Sequence, residues 1–475
     1  MPLTRSLCWT FLAAAGFALA AATAPARQPA KDELPKRPAT YGKVEELRRA
    51  GLPIPPDQVK PAKDAFAAYA RYVADLISSP LTYKTSTEFN PDIRNPLPTP
   101  DTVISEHVTP RLLIPEPGNK VGPDQADYIR EFAAALDAAL KKVIEEGPPD
   151  KSYDMIARIN ATRVLAAAAR SGATAHYPTV TALIKNPGLP LGVRYHALKA
   201  AENLLSAYDI NVQTTRKRDH SARPKELVEL IQAVEDVIVA PASLVTPAAA
   251  AGAAPPAPTP EQQAVAAFVR RQAVRALAQV RYASINVPPG GPTVYPSHTL
   301  ARVVYSDPAL SPPPNPAEIA EATLGLCNMS PPAKASNSYN ADAVADAVAT
   351  GVIAFGTARG TDTTGKLYPW RAYTARLTDA MRLWKAVWDP AYDPTRPNAQ
   401  TAAPPGPVAE VADAAVSKVL APIERLTTDP SARIDIQPPT GMATVLDKLR
   451  KNPKRSTTLF RDVPATSIDI AARKE

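Results

Sequence analysis

The sequence is short of cysteine, histidine and aromatic residues, with 2 Cys, 5 His and 6% aromatics in 475 residues. Cys8 lies inside an N-terminal apolar run and Cys327 stands alone after it, so a chain that loses its leader forms no intrachain disulfide and is stabilised by packing. The histidines are His107, His176, His196, His220 and His298. None has H-x-x-x-H or H-E-x-x-H spacing or lies near a second cysteine; His176 and His196 are the two that an adjacent pair of helices could bring together. Cys327, flanked by Leu324, Leu326 and Met329, is expected as an apolar filler and not a nucleophile. No serine sits in a G-x-S-x-G elbow. Alternating β-branched runs never extend beyond a few positions, which excludes a sheet-based fold. No catalytic, cofactor-binding or metal-binding residue is assigned, and the expectation is a protein that is not an enzyme and needs no cofactor.

What is present begins with a leader. Arg5 precedes an uncharged run from Leu7 to Ala24, and small residues follow in A-x-A arrangement at Ala20-Ala21-Ala22 and Ala24-Pro25-Ala26. This is the form of a secretory signal peptide over 1–26, cut so that the mature chain starts between Thr23 and Arg27, and it places the protein outside the cytoplasm, periplasmic or secreted. The rival reading is an uncleaved anchor, because the run barely reaches the roughly 17 to 25 residues that span a bilayer. Later apolar stretches are broken by charge or proline, so no transmembrane segment is expected after signal cleavage. Internal Lys31-Asp32-Glu33-Leu34 is not at a free C-terminus and is not a retention signal.

Hydrophobic residues make up 45% of the chain, enough to bury a core, but 475 residues exceed one compact core unless the fold repeats. Proline is abundant at 54 residues, yet the prolines fall between periodic segments and punctuate them. Apolar residues at three- and four-residue steps predict helices in pairs: 123–146 with 152–170, 176–185 with 190–208, and 224–239 with 261–282. Further helices are expected at 61–79, 299–305, 316–329, 341–358, 369–388 and 407–427. The class is all-α.

The second helices of the three pairs open alike: Ala157-Arg158 then Ala161, Val193-Arg194 then Ala197, and Val269-Arg270 then Ala273. Behind them run Ala161, Leu165, Ala168; Ala197, Ala201, Leu204; and Ala273, Leu277, Val280, each tracing one helix face. With Tyr177-Pro178 through Leu183-Ile184 leading into Val193-Arg194, the arrangement resembles the HEAT family of helical repeats, and the resemblance covers roughly residues 123 to 283. It implies a HEAT-like α-solenoid, against which the alternative is an irregular helical array. The family's acidic turn residue is replaced by Asn186, so a ladder of turn acids to Arg194 is not implied.

The organisation read from the sequence is therefore a signal peptide at 1–26, a Pro-rich segment with one helix at 27–122, and HEAT-like repeats at 123–283 carrying an Ala/Pro insertion at 241–260. Further helical pairs with Pro-rich joints follow at 284–428, then a basic, flexible tail at 429–475. Gly360-Thr361-Asp362-Thr363-Thr364-Gly365-Lys366 matches a P-loop up to its lysine, but Leu367 stands where a hydroxyl meets magnesium and Pro369 interrupts the phosphate-binding helix, so an interhelical turn is expected. Net charge is +8. Basic residues cluster at Arg216, Lys217, Arg218, Arg223 and Lys225 and again from Lys448 to Arg461, with few aromatic neighbours, which allows a weak polyanion contact but no specific nucleic acid. Tyr368, Trp370, Tyr373, Trp384 and Trp388 are spaced as core residues. The functional expectation is an exported, non-catalytic helical-repeat scaffold that mediates protein–protein interaction with an unknown partner. The alternatives are a secreted or periplasmic hydrolase with an unrecognised site and an envelope polyanion-binding protein.

Overall fold

Helices start in this chain where proline can help them. The computed structural model describes residues 35–50, 54–79, 99–112, 126–147, 154–213, 224–241, 259–286, 293–329, 339–362, 364–388, 406–428, 440–452 and 458–460. The leader, nearly all of the 241–260 insertion and the basic residues from Arg216 to Arg223 lie outside them. Five α-helices in the described residues open on proline, at Pro100, Pro224, Pro260, Pro296 and Pro316, where the missing N–H is one the helix would leave unbonded. Two of these starts carry a full capping box. Thr259 Oγ1 accepts from Gln262 N while Thr259 N donates to Gln262 Oε1; Asn315 Oδ1 accepts from Glu318 N while Asn315 N donates to Glu318 Oε2.

The fold is all-α. The N-terminal elements are α1 (Tyr41–Ala50), α2 (Val59–Ser78) and the short α3 (Pro100–Val103). Pairs follow: α4 (Ala126–Glu146) with α5 (Asp154–Ala169), α6 (His176–Lys185) with α7 (Leu191–Gln213), and α8 (Pro224–Val239) with α9 (Pro260–Leu277). Then come α10 (Pro296–Val304) with α11 (Pro316–Asn328), α12 (Ala341–Thr361) with α13 (Trp370–Val387), one continuous helix whose parts α14 (Gly406–Ala415) and α15 (Ala421–Thr428) are joined by a π-turn at Val416–Leu420, and last α16 (Thr440–Lys451). Among the described residues the strands are β1 (Ile285–Asn286) and β2 (Thr293–Val294), a two-residue antiparallel pair.

First and second helices alternate between two layers. First helices α4, α6, α8, α10 and α12 follow one another in contact, as do second helices α5, α7, α9, α11 and α13, and the continuous helix α14–α15 packs on both α12 and α13. This is why α5 is apolar on most sides: α4 and α7 both cover it, and Ala161, Leu165 and Ala168 are fully buried. The corresponding Ala197, Ala201, Leu204, Ala273 and Leu277 are fully buried too. Small residues let the helices approach. At Gly325 of α11 an added Cβ would lie 2.8 Å from Ala278 Cα and 2.5 Å from Leu300 Cδ1, so only glycine fits this crossing.

The shared arginines now have a physical role. Arg158 donates to Ile144 and Glu145 O, and Arg194 donates through Nε and Nη2 to Ile184 O. Each second helix thus caps the open carbonyl end of its own first helix. Arg270 departs from this pattern and donates to Glu318 of α11 and to Pro312 and Pro313 O.

Three expectations differ from the structure. Residues 99–112, read as loop, form α3 and a π-turn at Ile104–Val108, because Thr99 caps the start at 3.1 Å and Val103, Val108 and Leu112 are buried; the piece is too short to show a period. Within 429–475, expected as a flexible tail, α16 packs on α12 and α14 and buries Met442, Leu446 and Leu449. Farther on, Asn340 N donates to Leu459 O, and Phe460 lies 5.1 Å from the Tyr295 ring, 5.3 Å from His298 and 5.0 Å from Tyr339. Finally, the segment 27–122, expected to hold one helix, holds α1 besides α2. Helix α12 is long and apolar enough, by length and composition, to cross a membrane. It is packed as a core helix: Asp346, buried in its second turn, accepts from Tyr305 and is ion-paired to Arg450.

Candidate functional site

In the turn at 360–366 the backbone N–H groups converge on a carboxylate of the chain itself. Asp362 Oδ1 accepts from Thr364 N, Thr364 Oγ1 and Gly365 N, and its Oδ2 accepts from Leu367 N and from Trp370 Nε1 at 2.7 Å. Burial pushes the Asp362 carboxyl up, but the Trp370 and Thr364 donors with the two amides outweigh it and hold it down at about 2. The carboxylate occupies the place an external anion would need. Lys366 is exposed, and α13 starts only at Trp370. Thr363 lies outside the described residues.

The histidines separate. His176 Nδ1 is 3.0 Å from Asp137 Oδ1, whose other oxygen accepts from Thr179 Oγ1, so this ring faces α4. His196 of α7 lies instead within electrostatic reach of Lys199 and Arg163, and burial drives its pKa down to about 3. The structure does not bring the two together. His107 shares a 2.8 Å hydrogen bond with the Tyr69 hydroxyl, and burial lowers both His107 and His298 to about 4. Cys327 is fully buried, which raises its thiol. Among the described residues no group of three or more His, Cys, Asp or Glu side chains could hold a metal. Trp370, Tyr373, Trp384 and Trp388 are buried and Tyr368 is half-buried.

Of the C-terminal basic residues that fall in the described part, Lys448 and Arg450 are engaged within the fold: Lys448 Nζ bonds Glu410 at 2.7 Å and Arg450 bonds Asp346 at 3.0 Å. Lys225 pairs with Glu229 at 3.8 Å.

A different surface emerges on the second-helix layer. Residues 195, 199 and 202 share one face of α7, and 268, 271 and 275 share one face of α9, by helical spacing. The Tyr195 and Phe268 rings stack across the two helices with centroids 5.0 Å apart and 21° between planes. Lys199 Nζ lies 5.0 Å from the Tyr195 centroid and Arg271 Cζ 5.4 Å from that of Phe268. Beside this column Glu202 accepts from Gln272 Nε2 at 2.7 Å and from Arg275 Nε at 2.8 Å. Two helices on, Arg376 of α13 forms two 2.7 Å bonds to Glu321 of α11 and sits 5.7 Å from the Tyr373 centroid, while Arg271 lies within electrostatic reach of Tyr368 and Tyr373. Rings hold these cations at fixed positions. The residues come from helices far apart in sequence, and their one sequence trace is a recurring ring followed three or four residues later by a cation: Tyr195/Lys199, Phe268/Arg271 and Tyr373/Arg376.

Compared with known proteins, the chain matches no family model, no curated protein and no solved structure.

Proposed function

We propose that the protein is an exported, non-catalytic scaffold of HEAT-like repeats that binds a protein partner along its second-helix layer. The observation that carries this reading is the face from Tyr195 to Arg376, where cations fixed over rings recur on the second helices α7, α9 and α13. The layers that alternate from α4 to α13 and the shared capping role of Arg158 and Arg194 support the repeat assignment; the alternation is what lets one kind of side chain recur along one surface. The leader at 1–26 supports export. The test uses the chain from residue 27 onward as bait on envelope and extracellular extract. A defined protein retained in stoichiometric amount supports the scaffold. Turnover of ester, peptide or glycoside substrates by the pure chain, with no protein retained, overturns it in favour of a hydrolase.

A further inference from the structure

Resting on that scaffold reading, we infer that the second-helix face receives an extended, acidic segment of the partner protein, with acidic side chains at about every third residue.

The chemistry follows from which groups remain available. Tyr195 and Phe268 cover one face of each other's ring, and Lys199 and Arg271 stand over these same rings. The column therefore offers little free ring surface for a nucleobase or a sugar to stack on, and what it presents outward is N–H donors. Neither Lys199 nor Arg271 hydrogen-bonds a carboxylate among the described residues, whereas Arg275 and Arg376 do, with Glu202 and Glu321. Burial depresses the Lys199 ammonium, with Glu202 opposing and Arg275 and Arg163 adding to the effect, so a carboxylate arriving there gains a partly desolvated cation. Anionic ligands are the complement.

The pattern selects among anions. Carboxylates Glu202 and Glu321 recur between the cations, and a polymer with charge on every unit would set some of its charges against them. A peptide can leave those positions neutral. Packed helices lie about 8–10 Å apart, and an extended chain advances about 3.3 Å per residue. Acidic side chains three residues apart on such a chain therefore meet Lys199 of α7 and Arg271 of α9 together.

The test is fluorescence anisotropy with the chain from residue 27 onward and labelled twelve-residue peptides. One peptide carries four Glu at every third position with Ser and Val between; a second has the four Glu contiguous; a third has Gln for Glu. The spaced peptide should bind about tenfold or more tightly than either control and lose affinity as salt is raised. The double variant Lys199→Gln/Arg271→Gln, with unchanged circular dichroism and melting, should weaken it about tenfold. Equal binding of spaced and contiguous peptides overturns the spacing. Tighter binding of a heparin octasaccharide or a twelve-residue oligothymidine overturns the peptide in favour of a general polyanion. If the double variant still retains the partner protein that the parent chain retains, this face is not the docking site although the scaffold reading stands; if neither chain retains any protein, the scaffold reading itself falls.

Discussion

Arg270 of α9 and Glu318 of α11 form an ion pair, Nε to Oε1 at 2.6 Å, with both side chains fully buried. The pair joins consecutive second helices, and Glu318 at the same time closes the capping box that starts α11. Breaking it from one side strands a charge in the interior. Arg270→Met and Glu318→Gln should each cost about 3–5 kcal/mol, and the double variant much less than their sum, because the stranded charge is then gone. Glutamine keeps the capping geometry, so Glu318→Ala should be worse than Glu318→Gln. Urea unfolding of the parent chain and the four variants measures all of this.

Gly325 predicts a steric cost with no lost contact. Its added Cβ would meet Ala278 backbone, which cannot rotate away, so Gly325→Ala should destabilise by about 1–3 kcal/mol despite alanine's better helix propensity. Gly42, with nothing within 4 Å of its would-be Cβ, is the control and should tolerate alanine. Thermal melting separates the two.

The turn at 360–366 makes a paired prediction. Lys366→Ala should change stability by no more than about 0.5 kcal/mol, as at ordinary surface positions. Asp362→Ala orphans the amides of Thr364, Gly365 and Leu367 and the Trp370 indole N–H, and should lower the melting temperature clearly. Magnesium ATP should give no saturable heat by calorimetric titration; a micromolar isotherm abolished by Lys366→Ala would contradict the assignment of a plain turn.

Opposing titrations shape the response to pH. Burial lowers His107 and His298 to about 4 and His196 to about 3, so the folded chain resists charging them. Their contribution is complete above the ordinary histidine value near 6.5 and is lost as pH falls towards 4. Glu235 acts with the other sign. Burial raises it to about 7 against the bond from Thr299 and the charge of Arg302, with Asp236 adding, so its contribution is present below about 4.5 and disappears as pH rises to 7. Three groups against one should place the stability maximum near pH 6.5, with a steep acid side. Glu235→Gln should gain about 1–2 kcal/mol at pH 8 and nothing at pH 4, read from denaturant midpoints at the two pH values.

Export predicts a processed N-terminus. Sequencing the protein recovered outside the cytoplasm should give a start between Thr23 and Arg27; an intact Met1 in the membrane fraction would point to an anchor.

Much of the helical layout was legible because proline and glycine mark its edges. His176–Lys185 and Pro224–Val239 agree at both ends with the periodic segments, and the Arg158 and Arg194 positions were visible as a repeated opening. The ladder was not. Asn186 in the turn argued against one, and the structure places the ion pairs between second helices at Arg270–Glu318 and Arg376–Glu321, between residues 48 and 55 positions apart that no local window connects. Helix α16 carried Met442, Leu446 and Leu449 at helical spacing, but its lysines and arginines read as a solvated tail until Asp346 and Glu410 supplied partners. The candidate face was hidden for the same reason: rings and cations spread over α7, α9 and α13 form a surface only after the layers stack.

Phe460 bears on the order in which the chain can acquire its structure during synthesis. From α4 to α9 each helix finds its partners in the segments just made, so those pairs can settle as they leave the ribosome. The surroundings of Tyr295, His298 and Tyr339 are completed by Phe460, and Asn340 waits for the carbonyl of Thr458, 118 positions later. A nascent chain halted before residue 458 therefore lacks the ring that closes the aromatic cluster of Tyr295, His298 and Tyr339, which makes residues 458–460 the latch of this part of the molecule.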